Sequence, residues 1–557
     1  MDWLSLIKTI ATVIAVLLTT NWLFRIFYLD LKRDFSELAA EEQSNITTTR
    51  KENETALYRN FSLPLGFPLV TGLGLSLKYK IRNGNFADIW SAIMDLADKN
   101  SIRFVDGPRD LSLQEINGMA KHILEKYLSN AHGNVGILVT PSKSQGFIIS
   151  IASMMASVKY NTLPHFLTSL PRKKSEDIDI LVIDSWKSFA KLRGSENWYG
   201  LIIVCESKTS GILDHPENVI SWDQLIHGYK NDNLYVYSPP DDNSDDHKIL
   251  LYFTSPHGAT TSFSQGCLVS GVASFIRSFP LDHELTAKDS LAVAGNMNSL
   301  NLSLQVWQKA LAVLLHGGKI SFQETLDLSN INNPTLLLAD SNELLIAVKK
   351  LVLSNGSFIQ RLKYQWATAL LTEGVFTAVG QLPIRSIDNL RCVYVLEQVS
   401  DSSLVTSFPK TVPKLKRGQS TDVLDSLHLN YLRAHLGSRV IFEYHCPHNV
   451  MGPIAHTNFY DYRVLPPRVS ANFIFCGPIS TSLEGKLVNT EQNCELDVAK
   501  RQGMLCIRGF TIGKPVEPAR LEKARELSGE FGGGEGWMPM VGIFGLWGQD
   551  GCLYVYK

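Results

Sequence analysis

The sequence lacks paired cysteines. Eight stand singly along 557 residues (Cys205, Cys267, Cys392, Cys446, Cys476, Cys494, Cys506 and Cys552), none in a CxxC spacing. That pattern reads as reduced cytosolic protein rather than a disulfide scaffold. Charge of one sign is missing too. With 53 Lys plus Arg against 54 Asp plus Glu, the net charge of −1 leaves no broad basic footprint for nucleic acid. There is no internal repeat, no long low-complexity tract, no G-x-S-x-G elbow, no H-E-x-x-H pair and no intact Walker loop. What is present is apolar substance: 45% hydrophobic and 19% charged residues, the balance of a folded chain with large cores. The length predicts about two to four domains.

One long hydrophobic run stands at the N-terminus. Residues 9–24, "TIATVIAVLLTTNWLF", carry no charge between Lys8 and Arg25. With its flanks the run exceeds about 20 residues, enough to cross ~30 Å of hydrocarbon if Lys8 and Arg25 snorkel. It lacks the short core and small-residue cleavage site of a secretory signal. The expectation is a single-pass membrane helix at about residues 5–28, within an anchor of residues 1–33. Arg25, Lys32 and Arg33 follow the run, whereas Lys8 and Asp2 precede it. The positive-inside rule then puts the bulk of the chain in the cytosol. Five N-x-S/T triplets, at Asn45, Asn53, Asn60, Asn301 and Asn355, leave a lumenal placement open.

Residues 34–62 are polar and read as a linker. From Phe86 onward helical and strand-like segments alternate. "NFADIWSAIMDLADKN" has helical spacing, and "NVGILVTPS", "IDILVIDS" and "YGLIIVCES" are short buried-strand runs. This alternation predicts α/β architecture with largely parallel sheets. "LSGEFGGGEGW" (527–537) reads as a flexible glycine-rich loop.

Six fragments occur in the order of one known family. They are "FVDGPRDLSLQEIN", "GNVGILVTPSKSQGFIISIASMMASVKYNTLP", "SWDQLI", "NMNSLNLSLQVWQKALAVLLHGGKISF", "QGMLCIRGF" and "GWMPMVGIFGLWGQDGCLYVYK". From about Phe86 to its end the chain resembles the acyl-adenylating (AMP-binding, acyl-CoA synthetase-like) superfamily. The resemblance implies, over residues 63–557, the large N-terminal domain of that fold. Such a domain has two stacked αβαβα-type subdomains and a distorted β-barrel, here preceded by one transmembrane helix. It also implies a two-step activation in which a carboxylate attacks the α-phosphate of ATP and a thiol takes the acyl group. Such chemistry depends on positioning and on cancelling phosphate charge.

Each implied site departs from the family pattern. "HGATTSFSQG" matches its phosphate loop: Gly258, Thr260, Thr261 and Gly266 are kept. Ala259 and Ser262 replace glycines, and Gln265 replaces the lysine. Glutamine cannot supply the missing point charge. In "FEYHCPHNVMG", Tyr444 keeps the aromatic implied to pack on adenine. His448 stands where a glutamate would hold Mg²⁺, and a nitrogen ligand suits that ion poorly. His445, Cys446 and His448 read as incidental surface polar residues, since no fourth metal ligand is evident. Met540, Val541 and Gly542 occupy the place of the ribose aspartate motif. Arg508 is kept. Asn298, Leu302, Leu304 and Trp307, in the acyl-pocket segment, read as core packing. His456 and Asp461 have an acyltransferase spacing without its surrounding motifs. The chain stops at Lys557, before the family's small mobile lid domain, which is expected to be absent.

The expectation is therefore a degenerate member of the superfamily with no catalytic residue, no metal and no cofactor, ATP and Mg²⁺ entering only if residual activity persists. It would act as a scaffold or regulatory partner of a lipid-metabolism protein at the endoplasmic reticulum membrane. The alternatives are a divergent fatty acid–CoA ligase completed in trans and a non-catalytic nucleotide or acyl-CoA sensor.

Overall fold

The structure is a computed structural model. It describes residues 3–34, 51–63, 66–77, 80–98, 100–107, 109–207, 216–295, 300–399, 402–415 and 423–557. Its first element, α1 (Trp3–Phe24), winds on through Arg25–Leu29 and Asp30–Lys32. Ser5–Lys32 is long and apolar enough to cross a membrane, and among the described residues no other part of the chain covers its most apolar stretch.

Two eight-stranded sheets form the body. The first runs, edge to edge, Lys514–Pro515, Thr260–Ser264, Ile249–Thr254, Pro164–Phe166, Asn134–Ile137, Ile178–Ile183, Leu201–Val204 and Val219–Ser221. Its central pairs are parallel. Runs such as "IDILVI" are buried on both faces, which is why they read as nearly continuous hydrophobic stretches. Strands β1 (Ile249–Thr254) and β2 (Thr260–Ser264) form an antiparallel hairpin with Thr254 opposite Thr260. Helix α2 (Gln265–Arg277) follows β2 directly, and the Ser264 hydroxyl caps it by accepting the Cys267 amide at 3.3 Å.

The second sheet runs Pro453–His456, Arg439–His445, Cys392–Gln398, Leu336–Asp340, Ser290–Ala294, Lys319–Gln323, Ser101–Arg103 and Asp110–Ser112. Strands β3 (Cys392–Gln398) and β4 (Arg439–His445) are parallel neighbours. Helix α3 (Leu300–Leu315) packs on α2, and a single apolar core joins side chains from both sheets. Helices α4 (Ser341–Asn355) and α5 (Phe358–Thr372) follow in this half.

An antiparallel five-stranded sheet takes the place expected of the distorted barrel, in the order Phe473–Gly477, Leu553–Tyr556, Met538–Trp547, Gln502–Gly509 and Leu483–Val488. Strand β5 (Gln502–Gly509) pairs with β6 (Met538–Trp547), and α6 (Pro518–Gly532) lies between them in sequence. Half of the expected glycine-rich loop is the end of α6. Gly532 is required there, because a Cβ would sit 2.5 Å from that of Trp537.

The linker expected at 34–62 needs correction. Residues 35–50 lie outside the described residues, but the stretch from Glu54 to Asn60 is built into the domain. Thr55 donates its amide to Leu487 at 2.9 Å, and Tyr58 and Gly485 exchange amide bonds at 2.8 and 2.9 Å. Tyr58 stacks on Trp547 with ring centroids 4.3 Å apart, and Lys486 forms a buried ion pair with Glu54. The segment covers the open edge of the third sheet, a role that its dilute apolar residues hid.

Candidate functional site

The loop between β1 and β2 is closed by its own residues. Ser255 holds the turn: its carbonyl accepts the Gly258 amide at 2.9 Å, and its hydroxyl accepts the Ala259 amide at 3.2 Å. Gly258 has φ +81°, which only glycine takes without strain. The Thr260 amide donates to the Glu517 carboxylate at 2.6 Å. Arg520, one turn into α6, donates to the Thr260 carbonyl and to the Thr261 hydroxyl, both at 2.7 Å. It also binds the other Glu517 oxygen at 2.6 Å. The Thr260 hydroxyl lies 3.0 Å from that of Thr254, which meets His165 Nε2 at 2.6 Å. The Ser262 hydroxyl donates to the Lys514 carbonyl at 3.0 Å. Three successive amides and three successive hydroxyls of this loop are thus engaged within the fold. An incoming phosphate at Thr260 would meet a like charge on Glu517.

Gln265 stands elsewhere. Because residues 260–264 form a complete strand, position 265 falls in the first turn of α2, inside the first half of the body. Its Oε1 accepts the Phe86 amide at 3.0 Å, and its Nε2 donates to Ser157 Oγ at 3.2 Å. With Asn85, Tyr237, Asp245 and Lys248 it lines a separate cavity of about 230 Å³. Gly266 permits a close approach, since a Cβ there would lie 3.0 Å from the Asp246 carbonyl oxygen.

Tyr444, His448 and Gly542 do not form an open nucleotide face. Tyr444, on β4, is sealed in the core, and burial raises its phenol pKa. His448 is buried with its ring 5.7 Å from that of Phe253. Burial, then His257 and Arg520, lower its pKa to about 4, so it is neutral at pH 7. Gly542, at φ +91°, faces Leu404 and Pro413. His445, Cys446 and His448, expected at the surface, are all buried. His445 turns away from Cys446 to meet Glu443 at 2.9 Å. Among the described residues no three His, Cys, Asp or Glu side chains come together as metal ligands. This donor set does not fit ATP with Mg²⁺: the loop's donors are occupied, its nearest anion is fixed, and His448 offers a nitrogen to a cation that prefers oxygen.

The acyl-pocket segment supplies a buried charge. Asn298 lies outside the described residues, as does the side chain of Leu302, whereas Leu304 and Trp307 are core residues. One turn on, Lys309 is fully buried and forms an ion pair with Glu443 at 2.8 Å. Its ammonium also lies 5.3 Å from the Phe275 ring and 5.5 Å from that of Tyr394. Burial would raise the Glu443 pKa, but Lys309 and the His445 hydrogen bond outweigh it and hold it at about 2. Burial lowers the His445 pKa, outweighing the Glu443 hydrogen bond and charge that raise it, with Lys309 adding to the fall. Beside this network the free space is about 20 Å³, room for one water rather than an acyl chain.

Other candidates have structural partners. Arg508 pairs with Glu484 at 2.5 Å and lies over Trp537. Asp461 pairs with Arg463, which also binds Asp550, while His456 contacts its neighbouring backbone. Sequence reasoning missed Glu517, Arg520 and Lys309. The E-P-x-R start of α6 was the only local signal for the first two, and it does not name a partner.

Comparison with known proteins finds a relative over the whole length of the chain. The uncharacterized protein YHR045W of Saccharomyces cerevisiae is 49% identical over 563 residues, spanning 100% of both chains. The chain belongs to the same family as this yeast protein. No protein-family model matches it. Among solved structures, the long-chain-fatty-acid-CoA ligase FadD1 of Archaeoglobus fulgidus superposes with TM-score 0.55 at 13% identity, covering 88% of this chain and 86% of that one. The N-terminal domain of FACL13 from Mycobacterium tuberculosis gives TM-score 0.52 at 11% identity, covering 85% of this chain and 100% of that one. A luciferase-like enzyme of the mealworm Zophobas morio gives TM-score 0.55 at 13% identity, over 88% and 98%. The fold is that of the acyl-CoA synthetase N-terminal domain, as the ordered fragments implied.

Proposed function

We propose that this family member is a membrane protein of the endoplasmic reticulum, anchored by α1 with its body in the cytosol. It keeps the acyl-CoA synthetase-like fold as a scaffold or regulatory partner in lipid metabolism and does not activate carboxylates. The observation that carries this reading is the phosphate loop filled from within: Glu517 and Arg520 take the Thr260 amide and Thr261 hydroxyl. Removing a single electrostatic donor from an active site typically costs ~2.7–4 kcal/mol of transition-state stabilisation. Here three amides and three hydroxyls of the loop serve the fold, and Lys309 fills the neighbouring segment. The lipid assignment rests on likeness of fold together with the apolar helix, an associational warrant.

The test is ATP–pyrophosphate exchange by the purified full-length chain over a panel of carboxylates, including long-chain fatty acids. Background exchange is the expected result; robust carboxylate-dependent exchange would overturn the reading. In parallel, mild solubilisation of endoplasmic reticulum membranes should retain an enzyme of acyl-chain metabolism in stoichiometric complex. A monomer without a partner would remove the scaffold role.

A further inference from the structure

The body of the protein presents a second apolar surface close to where α1 leaves it. On α5, Phe358, Ile359, Leu362 and Trp366 are 75%, 64%, 51% and 51% exposed. At 3.6 residues per turn these four fall within an arc of about 100°. The opposite side of the helix, Gln360, Ala367, Leu370 and Leu371, is buried against the domain. Arg361 and Lys363 flank the apolar arc on either side, both exposed. Leu353, at the end of α4, adds a fifth exposed side chain just before the link to α5, and Lys349 and Lys350 lie exposed one turn before it. An apolar stripe bordered by basic side chains suits a surface that meets lipid, its cations reaching toward headgroups.

The position of α1 sets which surface would cover this stripe. The Phe24 ring lies 6.3 Å from Trp366, Leu29 is buried with Leu370 and Val375, and Arg33 pairs with Glu373 at 3.3 Å. Along these contacts both segments advance together, so α5 runs alongside the exit of α1, and its N-terminal end points back toward the membrane-spanning part. Twenty residues from Ser5 to Phe24 span about 30 Å, the thickness of the hydrocarbon. The bilayer surface then falls near Phe24, and Trp366 beside it stands where interfacial tryptophans concentrate.

We infer that α5, with the end of α4 before it, is a second membrane contact, in which Leu353, Phe358, Ile359, Leu362 and Trp366 enter the headgroup–acyl boundary of the bilayer that holds α1. This inference rests on the reading of α1 as a membrane helix. It adds that the body lies against the membrane in one fixed orientation instead of swinging on a tether, with α5 as its contact edge.

The test uses the full-length chain with Cys494→Ser, the other described cysteines being buried. Single cysteines placed by Leu362→Cys, Ile14→Cys and Val236→Cys carry an NBD fluorophore in vesicles of phosphatidylcholine and phosphatidylserine. Nitroxide-labelled lipid should quench the label at position 362 about twofold or more beyond that at 236, with iodide doing the reverse. Equal iodide access at 362 and 236, without lipid quenching at 362, overturns the inference. So does a label at 362 shielded from both quenchers, which would mean that protein covers the stripe. Position 14 separates the two readings. Lipid quenching there but not at 362 removes only the α5 contact, whereas none at 14 removes the anchor itself.

Discussion

Glu517 and Thr260 meet across 257 residues of sequence, the carboxylate accepting the threonine amide at 2.6 Å. Through this bond the start of α6 covers the loop that the family resemblance assigns to phosphate. Arg520, buried one turn away, locks the contact by binding Glu517 and both threonines.

Arg520→Ala should destabilise the protein by about 2 kcal/mol, because it leaves the Thr261 hydroxyl without its buried donor. Glu517→Ala should cost less, since the Glu517 side chain is partly exposed. Urea unfolding of both variants reads the difference. Equal and negligible losses would mean that the contact does not hold the loop.

Restoring the family's lysine should fail. Gln265→Lys would bury an ammonium beside the Phe86 amide, a donor that it cannot satisfy. The expected loss is ~2–4 kcal/mol, with no gain in stabilisation by ATP. A thermal shift on adding millimolar ATP and Mg²⁺ to this variant would show that position 265 can still serve the loop.

Lys309→Met should cost about 3–5 kcal/mol, because it strands the Glu443 charge in the core. The double variant Lys309→Met, Glu443→Leu removes both charges and should recover more than half of that loss. Chemical denaturation of the two variants checks the sign. A double variant worse than the single would place the value of this network in Glu443 and His445 instead.

Glu397 gives a pH dependence. It sits near the end of β3, where burial raises its pKa to about 7 despite the hydrogen bond from Ser341, with Asp340 adding to the rise. The folded state therefore holds this proton more tightly than the unfolded chain does. The resulting stability is fully present below pH ~4.5 and is lost as pH rises through about 7. Glu397→Gln should match the wild type near pH 4.5 and exceed it by roughly 2–3 kcal/mol at pH 8. Parallel stability–pH curves for the two proteins would exclude this carboxyl as the source.

Much of the fold could be read in the sequence because its signals are local. Buried parallel strands write short β-branched runs, such as "IDILVI" and "LIIV", and amphipathic helices separate them. Ser112 with Glu115 and Asn85 with Asp88 mark helix starts through capping boxes whose partners stand three positions apart. The apolar run of α1 needs no partner to be recognised. Six fragments in family order added the arrangement of the sheets.

The site was legible only as a list of substitutions. That Thr260 and Thr261 were kept, and that lysine gave way to Gln265, could be seen at once; where those side chains point could not. Completing β2 through Ser264 sends Gln265 into the interior, a consequence of strand register that substitution alone does not reveal. The partners that fill the loop come from residues 517 and 520, and the edge of the third sheet is covered from residues 54–58, more than 420 positions before it. Such contacts carry no local periodicity. By itself the sequence determined the elements, the apolar helix and the family of the fold, since each is written in neighbouring residues. Only the tertiary structure decided that the loop is filled and that α5 lies beside α1, because both depend on which distant surfaces pack together.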